Sequence, residues 1–158
     1  MSDETAGATP GFLVWRLSMK WRVAVDRALA PLGLTHAQYS VVATLRGLDR
    51  SGIRPSQREL ADHTGLEALY VSKLARSLEA AGMVERTRDA VDSRAVRLAL
   101  TARGQEVTGR AVGVVHGLID TQLAPLGGTD SERTAAFVRD LTALLAVPAE
   151  VPAQPPAG

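Results

Sequence analysis

A winged helix-turn-helix flanked by longer helices, mostly α with one small β hairpin, follows from three features of this chain. Two short helical segments are joined across a glycine-containing turn, the spacing of a helix-turn-helix. Directly after them the periodicity changes from helical to alternating over residues 83–88 and 95–100, with a polar turn between, which marks a hairpin. Helical segments longer than that small module needs stand on both sides of it.

Each element has its own signal. Residues 2–10 are small and polar and form an arm. Residues 11–29 are helical, with Leu13, Leu17, Trp21, Ala24 and Ala28 on one stripe and Phe12, Trp15, Met19 and Val23 on a second. A helix apolar on two faces is buried by more than one partner. Pro31 and Gly33 end it. Thr35-His36-Ala37-Gln38 has the spacing of a capping box, in which hydroxyl and amide satisfy each other's free N–H groups. The helix it opens buries Tyr39, Val42, Ala43 and Leu45 and stops near Gly47, leaving 49–55 as loop.

Ser56-Gln57-Arg58-Glu59 is a second capping box, opening a short helix with Leu60 and Ala61 inward, closed by Thr64-Gly65. The next helix, about 68–81, places Val71, Leu74, Ala75 and Leu78 at the i, i+3, i+4, i+7 spacing of a buried face. Gly82 stands where a left-handed C-terminal cap belongs. After the hairpin, Thr101 caps a long helix running to about residue 123. Thr129-Asp130-Ser131-Glu132 is read as a third capping box before a last helix with Phe137, Leu141, Leu144 and Leu145 on one side. Pro148 stops it, and 148–158 is a Pro/Ala tail of disordered composition.

Composition narrows the function. The chain has 158 residues, 46% apolar and 22% charged, with a net charge of +1, which suits one ordinary globular domain. It has no cysteine, which excludes disulfides, thiol nucleophiles and thiolate metal sites. His36, His63 and His116 lack metal-ligand spacing, so neither metal nor cofactor is expected. No apolar run approaches a membrane span, and Met1-Ser-Asp-Glu-Thr is acidic where a signal peptide is basic; a cytoplasmic protein is expected. Of the 18 cations 16 are arginine, the residue suited to planar contacts with phosphate and base edges.

Residues 56–101 resemble the MarR family of bacterial transcriptional regulators. The resemblance rests on Ser56-Gln57-Arg58-Glu59-Leu60-Ala61, Val71-Ser72-Lys73-Leu74, Leu78-Glu79-Ala80-Ala81-Gly82-Met83-Val84-Glu85-Arg86, and above all Asp92-x-Arg94 followed by Arg97-Leu98-x-Leu100-Thr101-x-x-Gly104. With the flanking helices it covers roughly 11–147. That span is then a single MarR-like domain, with the winged helix-turn-helix at about 35–100 and dimerisation helices at about 11–30 and 102–147. The resemblance implies a homodimer on a palindromic operator, usually a repressor, often released by a small molecule.

The residues for double-stranded DNA follow from the motif. Tyr70, Ser72, Lys73 and Arg76 lie outward on the second helix of the motif, where side chains meet phosphate and base edges. Ser56, Gln57 and Arg58 begin the preceding helix, whose free N–H groups attract phosphate. The wing carries Arg86, Arg88, Arg94 and Arg97, with Arg94 at the tip suited to a narrow minor groove. Asp92 is assigned to brace an arginine by a charge-assisted hydrogen bond. Glu67, Leu69 and Tyr70 depart from the small polar residues usual in the family. Residues 54–103 hold nine cations against seven anions, so affinity should be moderate and strongly salt-dependent and should rely on a dimer.

Three further expectations complete the picture. Gly109, Gly113 and Gly117 repeat at i, i+4, i+8, which suggests close approach of another backbone or a softened helix. Trp15, Arg16, His36, Tyr39 and His116 are candidates for a site taking a small aromatic or anionic effector. No phosphate loop, nucleophile elbow or metal motif points to an enzyme. The alternative function is a winged-helix protein-interaction module without DNA binding, in which Glu67, Leu69 and Tyr70 contact a protein partner.

Overall fold

The computed structural model describes residues 8–149; most of the expected arm and tail lie outside the described residues. Residues up to Leu118 form one compact unit, and those from Ile119 a second. The first holds α1 (Pro10–Leu29), a 3-10 turn at Ala30–Leu32, α2 (His36–Arg50), α3 (Gln57–Thr64), α4 (Ala68–Ala80), β1 (Val84–Arg88), β2 (Val96–Leu100) and most of α5 (Ala102–Gln122). The second holds the end of α5, a 3-10 turn at Ala124–Leu126 and α6 (Glu132–Leu145).

Helix α1 begins inside the expected arm. The Thr9 hydroxyl accepts from the Phe12 N–H, and Pro10 fills the first helical position, where its missing N–H costs nothing. Neither apolar stripe is buried within the chain: Phe12, Leu13, Trp15, Met19 and Val23 are exposed and Leu17, Trp21, Ala24 and Ala28 half-buried, while the buried residues of the helix, Val25 and Leu29, lie off both stripes. Gly33, at φ +71°, ends the following turn in the left-handed region open to glycine.

Both early capping boxes form as expected. Thr35 Oγ1 accepts from the Gln38 N–H while Gln38 Oε1 accepts from the Thr35 N–H. Ser56 and Glu59 repeat this at α3. Helix α2 departs from expectation in two respects. It runs through Gly47 to Arg50, since a lone helical glycine costs only about 1 kcal/mol. Its buried face is Val41, Val42 and Leu45, with Tyr39 only half-buried.

The core of the first unit gathers Leu29, Val41, Val42, Leu45, Leu60, Val71, Leu78 and Leu98 from five elements, each at most 2% exposed. Each such side chain contributes about 1.5–3 kcal/mol relative to exposure. All four expected inward residues of α4 are buried. The hairpin is antiparallel, with Val84 opposite Leu100 and Arg88 opposite Val96. It is fastened to the loop before α3, where the Leu98 N–H donates to the Pro55 carbonyl at 2.9 Å.

Thr101 caps α5 as expected, accepting from the Gly104 N–H and donating to the Gly82 carbonyl. The glycine repeat in α5 is not one feature. A Cβ on Gly109 would meet the Arg46 guanidinium at 3.2 Å, whereas one on Gly113 or Gly117 would meet nothing within 4 Å in this chain. In the second unit the expected third capping box is displaced. Ser131, not Thr129, caps α6 by accepting from the Thr134 N–H. Thr129 instead donates its N–H and hydroxyl to Asp120 Oδ1, which lowers the pKa of that carboxyl. Phe137 and Leu141 are half-buried, and Leu144 and Leu145 are exposed.

Candidate nucleic-acid interface

Three elements of the first unit converge on one cleft of about 850 Å³. The start of α3 supplies Ser56, Gln57, Arg58, Glu59 and Asp62. The start of α4 supplies Ala68, and the wing supplies Asp92, Arg94, Ala95, Val96 and Arg97. Six of the eleven residues expected at DNA therefore line a single concave surface. Of the rest, Tyr70, Lys73 and Arg76 are exposed on α4, Ser72 is half-buried there, and Arg88 is exposed at the end of β1.

Helix α4 leaves its first turn open. Its N-cap, Glu67, forms no side-chain cap hydrogen bond, as its long side chain suits that position poorly. Leu69, 88% exposed, shares the outward stripe with Lys73 and Arg76 at i, i+4 and i+7. At the far end, Ser77 accepts from Gln38 Nε2 at 3.0 Å.

The cations of this surface divide into two sets. Arg86 donates to Gln57 Oε1 and to Glu79, and Arg97 is held by Asp89 and Glu59. Among the described residues no ion pair or side-chain hydrogen bond engages Arg58, Lys73, Arg76, Arg88 or Arg94, all of them exposed. A cation without an internal partner keeps its charge available to phosphate, while a paired one has been neutralised by its neighbour.

Asp92 does not brace an arginine. Its Oδ1 accepts from the Arg94 backbone N–H at 3.0 Å, folding the tip locally as an aspartate two residues back in a turn does. The brace belongs to Asp89. Its Oδ1 accepts from the Val91 and Asp92 N–H groups and its Oδ2 from Arg97 Nε at 2.6 Å. The Asp92 N–H, then Arg97 and the Val91 N–H, hold the Asp89 pKa down to about 2. Glu59 is also lowered, first by the Ser56 N–H, and Arg97 is raised by Asp89. An Asp three residues before the Asp-x-Arg motif was the signal for this role.

The five candidate effector residues are not gathered into one site. Only His36 lines the cavity of about 680 Å³ bounded by Arg22, Asp26, Leu34, Ser40, Leu66 and Tyr70. Trp15 stacks on Phe12 on the open surface of α1, with Arg16 over the same Phe12 ring. His116 is exposed on α5, and Tyr39 is half-buried with its phenol pKa raised by that burial. No helix among the described residues is long and apolar enough to cross a membrane.

The MarR family profile matches residues 32–95, which hold α2, the helix-turn-helix and most of the wing. YdcH of Bacillus subtilis (strain 168), an uncharacterized HTH-type transcriptional regulator, is 34% identical over 108 residues, covering 68% of this chain and 74% of YdcH. This chain belongs to the MarR family. As a MarR protein it is a DNA-binding transcriptional regulator and not an enzyme, which sets aside the protein-interaction alternative. The repressor Rv2887 of Mycobacterium tuberculosis (strain ATCC 25618 / H37Rv) is 36% identical over 107 residues, covering 67% of this chain and 73% of that one. The repressor CouR, solved on a 23-mer DNA duplex, superposes with a TM-score of 0.76 at 25% identity, over 92% of this chain and 98% of its own. CouR from Rhodococcus jostii RHA1 is also solved with p-coumaroyl-CoA, at a TM-score of 0.75.

Proposed function

We propose that this MarR regulator is a homodimeric repressor that binds a palindromic operator and is released by a small-molecule ligand. The observation that carries the DNA surface is the set of five exposed, unpaired cations on α3, α4 and the wing, beside two arginines neutralised by internal partners. In this reading Lys73, Arg76 and Arg58, with Ser56 and Gln57, hold phosphates, and Tyr70 and Ser72 meet base edges in the major groove. Arg94 enters the minor groove, with Arg88 beside it on the wing. Residues 35–100 form the DNA-binding part, and the helices in 11–30 and 102–147 form the dimer.

The exposed apolar residues of α1, from Phe12 to Val23, support the dimer, since a monomer seldom leaves so continuous an apolar face in water. CouR binds DNA and an aromatic, anionic thioester, which supports an effector of that class here. The cavity beside His36 is the place for it. Leu34, Leu66 and Tyr70 give it an apolar and aromatic lining that reaches α4 itself, and Arg22, 4.0 Å from Asp26 in the same lining, is the cation an anionic effector would draw from that pair.

The test is selection of genomic DNA fragments by the purified protein near physiological salt. A palindrome with half-sites about one duplex turn apart, roughly 34–36 Å, is the expected result. Aromatic acids and their thioesters are then screened for release of that fragment. Diffuse binding that vanishes with salt would overturn the operator reading.

A further inference from the structure

Arg97 was expected to touch DNA, yet it is tied inward. Its Nε donates to Asp89 Oδ2 at 2.6 Å. Its Nη1 donates to Glu59 Oε2 at 2.8 Å and to the Arg54 carbonyl at 3.2 Å. Each carboxylate already organises a segment of backbone. Asp89 gathers the Val91 and Asp92 N–H groups and so shapes the wing turn. Glu59 takes the Ser56 N–H at 2.7 Å and so completes the cap of α3. The guanidinium stands between the two and joins them, and the backbone repeats the link where Ser56 and Arg97 pair as an antiparallel bridge.

The charge of this cluster argues against a phosphate contact. One guanidinium between two carboxylates leaves a net negative group, and a phosphate drawing Arg97 outward would strand both carboxylates beside it. A fork holding two carboxylates at once is also a task that lysine, a point charge, does not reproduce. Freezing the wing before binding lowers the ordering cost that a loose hairpin would bear on the duplex.

We propose that Arg97 is a positioning residue: it locks the wing to the start of α3 and supports operator affinity through Arg94, without touching DNA. The inference rests on the reading that the wing meets DNA. Its test is a double-mutant cycle of Arg97→Gln and Arg94→Ala on the selected fragment, repeated across salt concentrations, with thermal melting of each variant.

Arg97→Gln should weaken binding roughly tenfold while leaving the slope of log affinity against log salt as in the parent. Loss of a phosphate contact would instead lower that slope by about 0.9. In the Arg94→Ala background Arg97→Gln should have little further effect. Arg97→Lys should behave as the Gln variant does. Asp89→Asn, which removes one of the two carboxylates holding the guanidinium and makes the surface more positive, should also weaken binding, and it serves alone if Arg97→Gln does not fold. Additive losses, a reduced slope, rescue by lysine, tighter binding by Asp89→Asn, or a lowered melting temperature with unchanged affinity would each overturn the inference. Unchanged affinity in Arg94→Ala alone would overturn the wing reading and this inference with it.

Discussion

Gly104 is pressed against Met83: a Cβ at Gly104 would sit inside the contact distance of the Met83 carbonyl oxygen and 2.9 Å from its carbonyl carbon. That carbonyl also accepts the Thr101 N–H at 3.1 Å, so it is not free to withdraw. The strands leave and rejoin the helical body at this junction. Gly104→Ala should therefore cost about 1–3 kcal/mol, the range for overpacking a tight site. A fall in the urea midpoint without a change in the slope of the transition is the expected signature.

Gly113 should answer with the opposite sign. A Cβ there meets nothing within 4 Å, and the residue lies inside α5. Gly113→Ala should stabilise the protein by about 1 kcal/mol through helix propensity alone. A loss of stability in the same urea experiment would mean that another copy of the chain packs against this turn.

Acid should act on the wing through Asp89. Its carboxyl titrates near 2 in the fold against an ordinary value of 3.8, so the folded state favours the ionised form. The stabilisation is fully present above the ordinary value, declines as pH falls below it, and is gone once pH passes below about 2. Titration followed by NMR should give a midpoint near 2 for Asp89. Asp89→Asn should remove this part of the acid sensitivity of the wing.

At the DNA surface the two kinds of contact should separate. Arg94→Ala should weaken operator binding by roughly 1–3 kcal/mol, with relaxed preference at the positions facing the wing. Lys73→Ala should weaken binding about equally for all sequences and lower the salt slope by about 1. Fluorescence anisotropy on the selected fragment and on a scrambled one reads both.

Self-association should depend on α1. Trp15 is 60% exposed and stacks on Phe12 there. Trp15→Glu should shift sedimentation equilibrium from twice the chain mass of 16.7 kDa toward the single chain, and operator affinity should fall with it.

What could be read from the sequence was what is local. The capping boxes at Thr35 and Ser56, the buried stripe of α4 and the alternation of the hairpin each lie within a few residues, and the structure forms them as expected. The third box failed because Thr129 found a partner nine residues back, in Asp120, leaving Ser131 to cap α6. The role given to Asp92 went to Asp89 for a similar reason. An arginine eight residues away across the hairpin is closer in space than sequence spacing suggests. The link from Arg97 to Glu59 spans 38 residues, and no periodicity reports a contact of that range. The effector residues were chosen by chemical type, and only geometry could say that His36 alone belongs to the cavity.

The amide of Gln38 is used at both ends, its oxygen taken by the Thr35 N–H and its nitrogen given to Ser77 on the motif's second helix. A capping box is equally content with glutamate at this place. Here glutamate could close the box with one oxygen and accept the Ser77 hydroxyl with the other, whereas Gln38 donates from its amide nitrogen to Ser77. One side chain thus closes a cap and ties α2 to α4. A cap that looks like local punctuation also reaches the helix that a redesign of DNA preference would change.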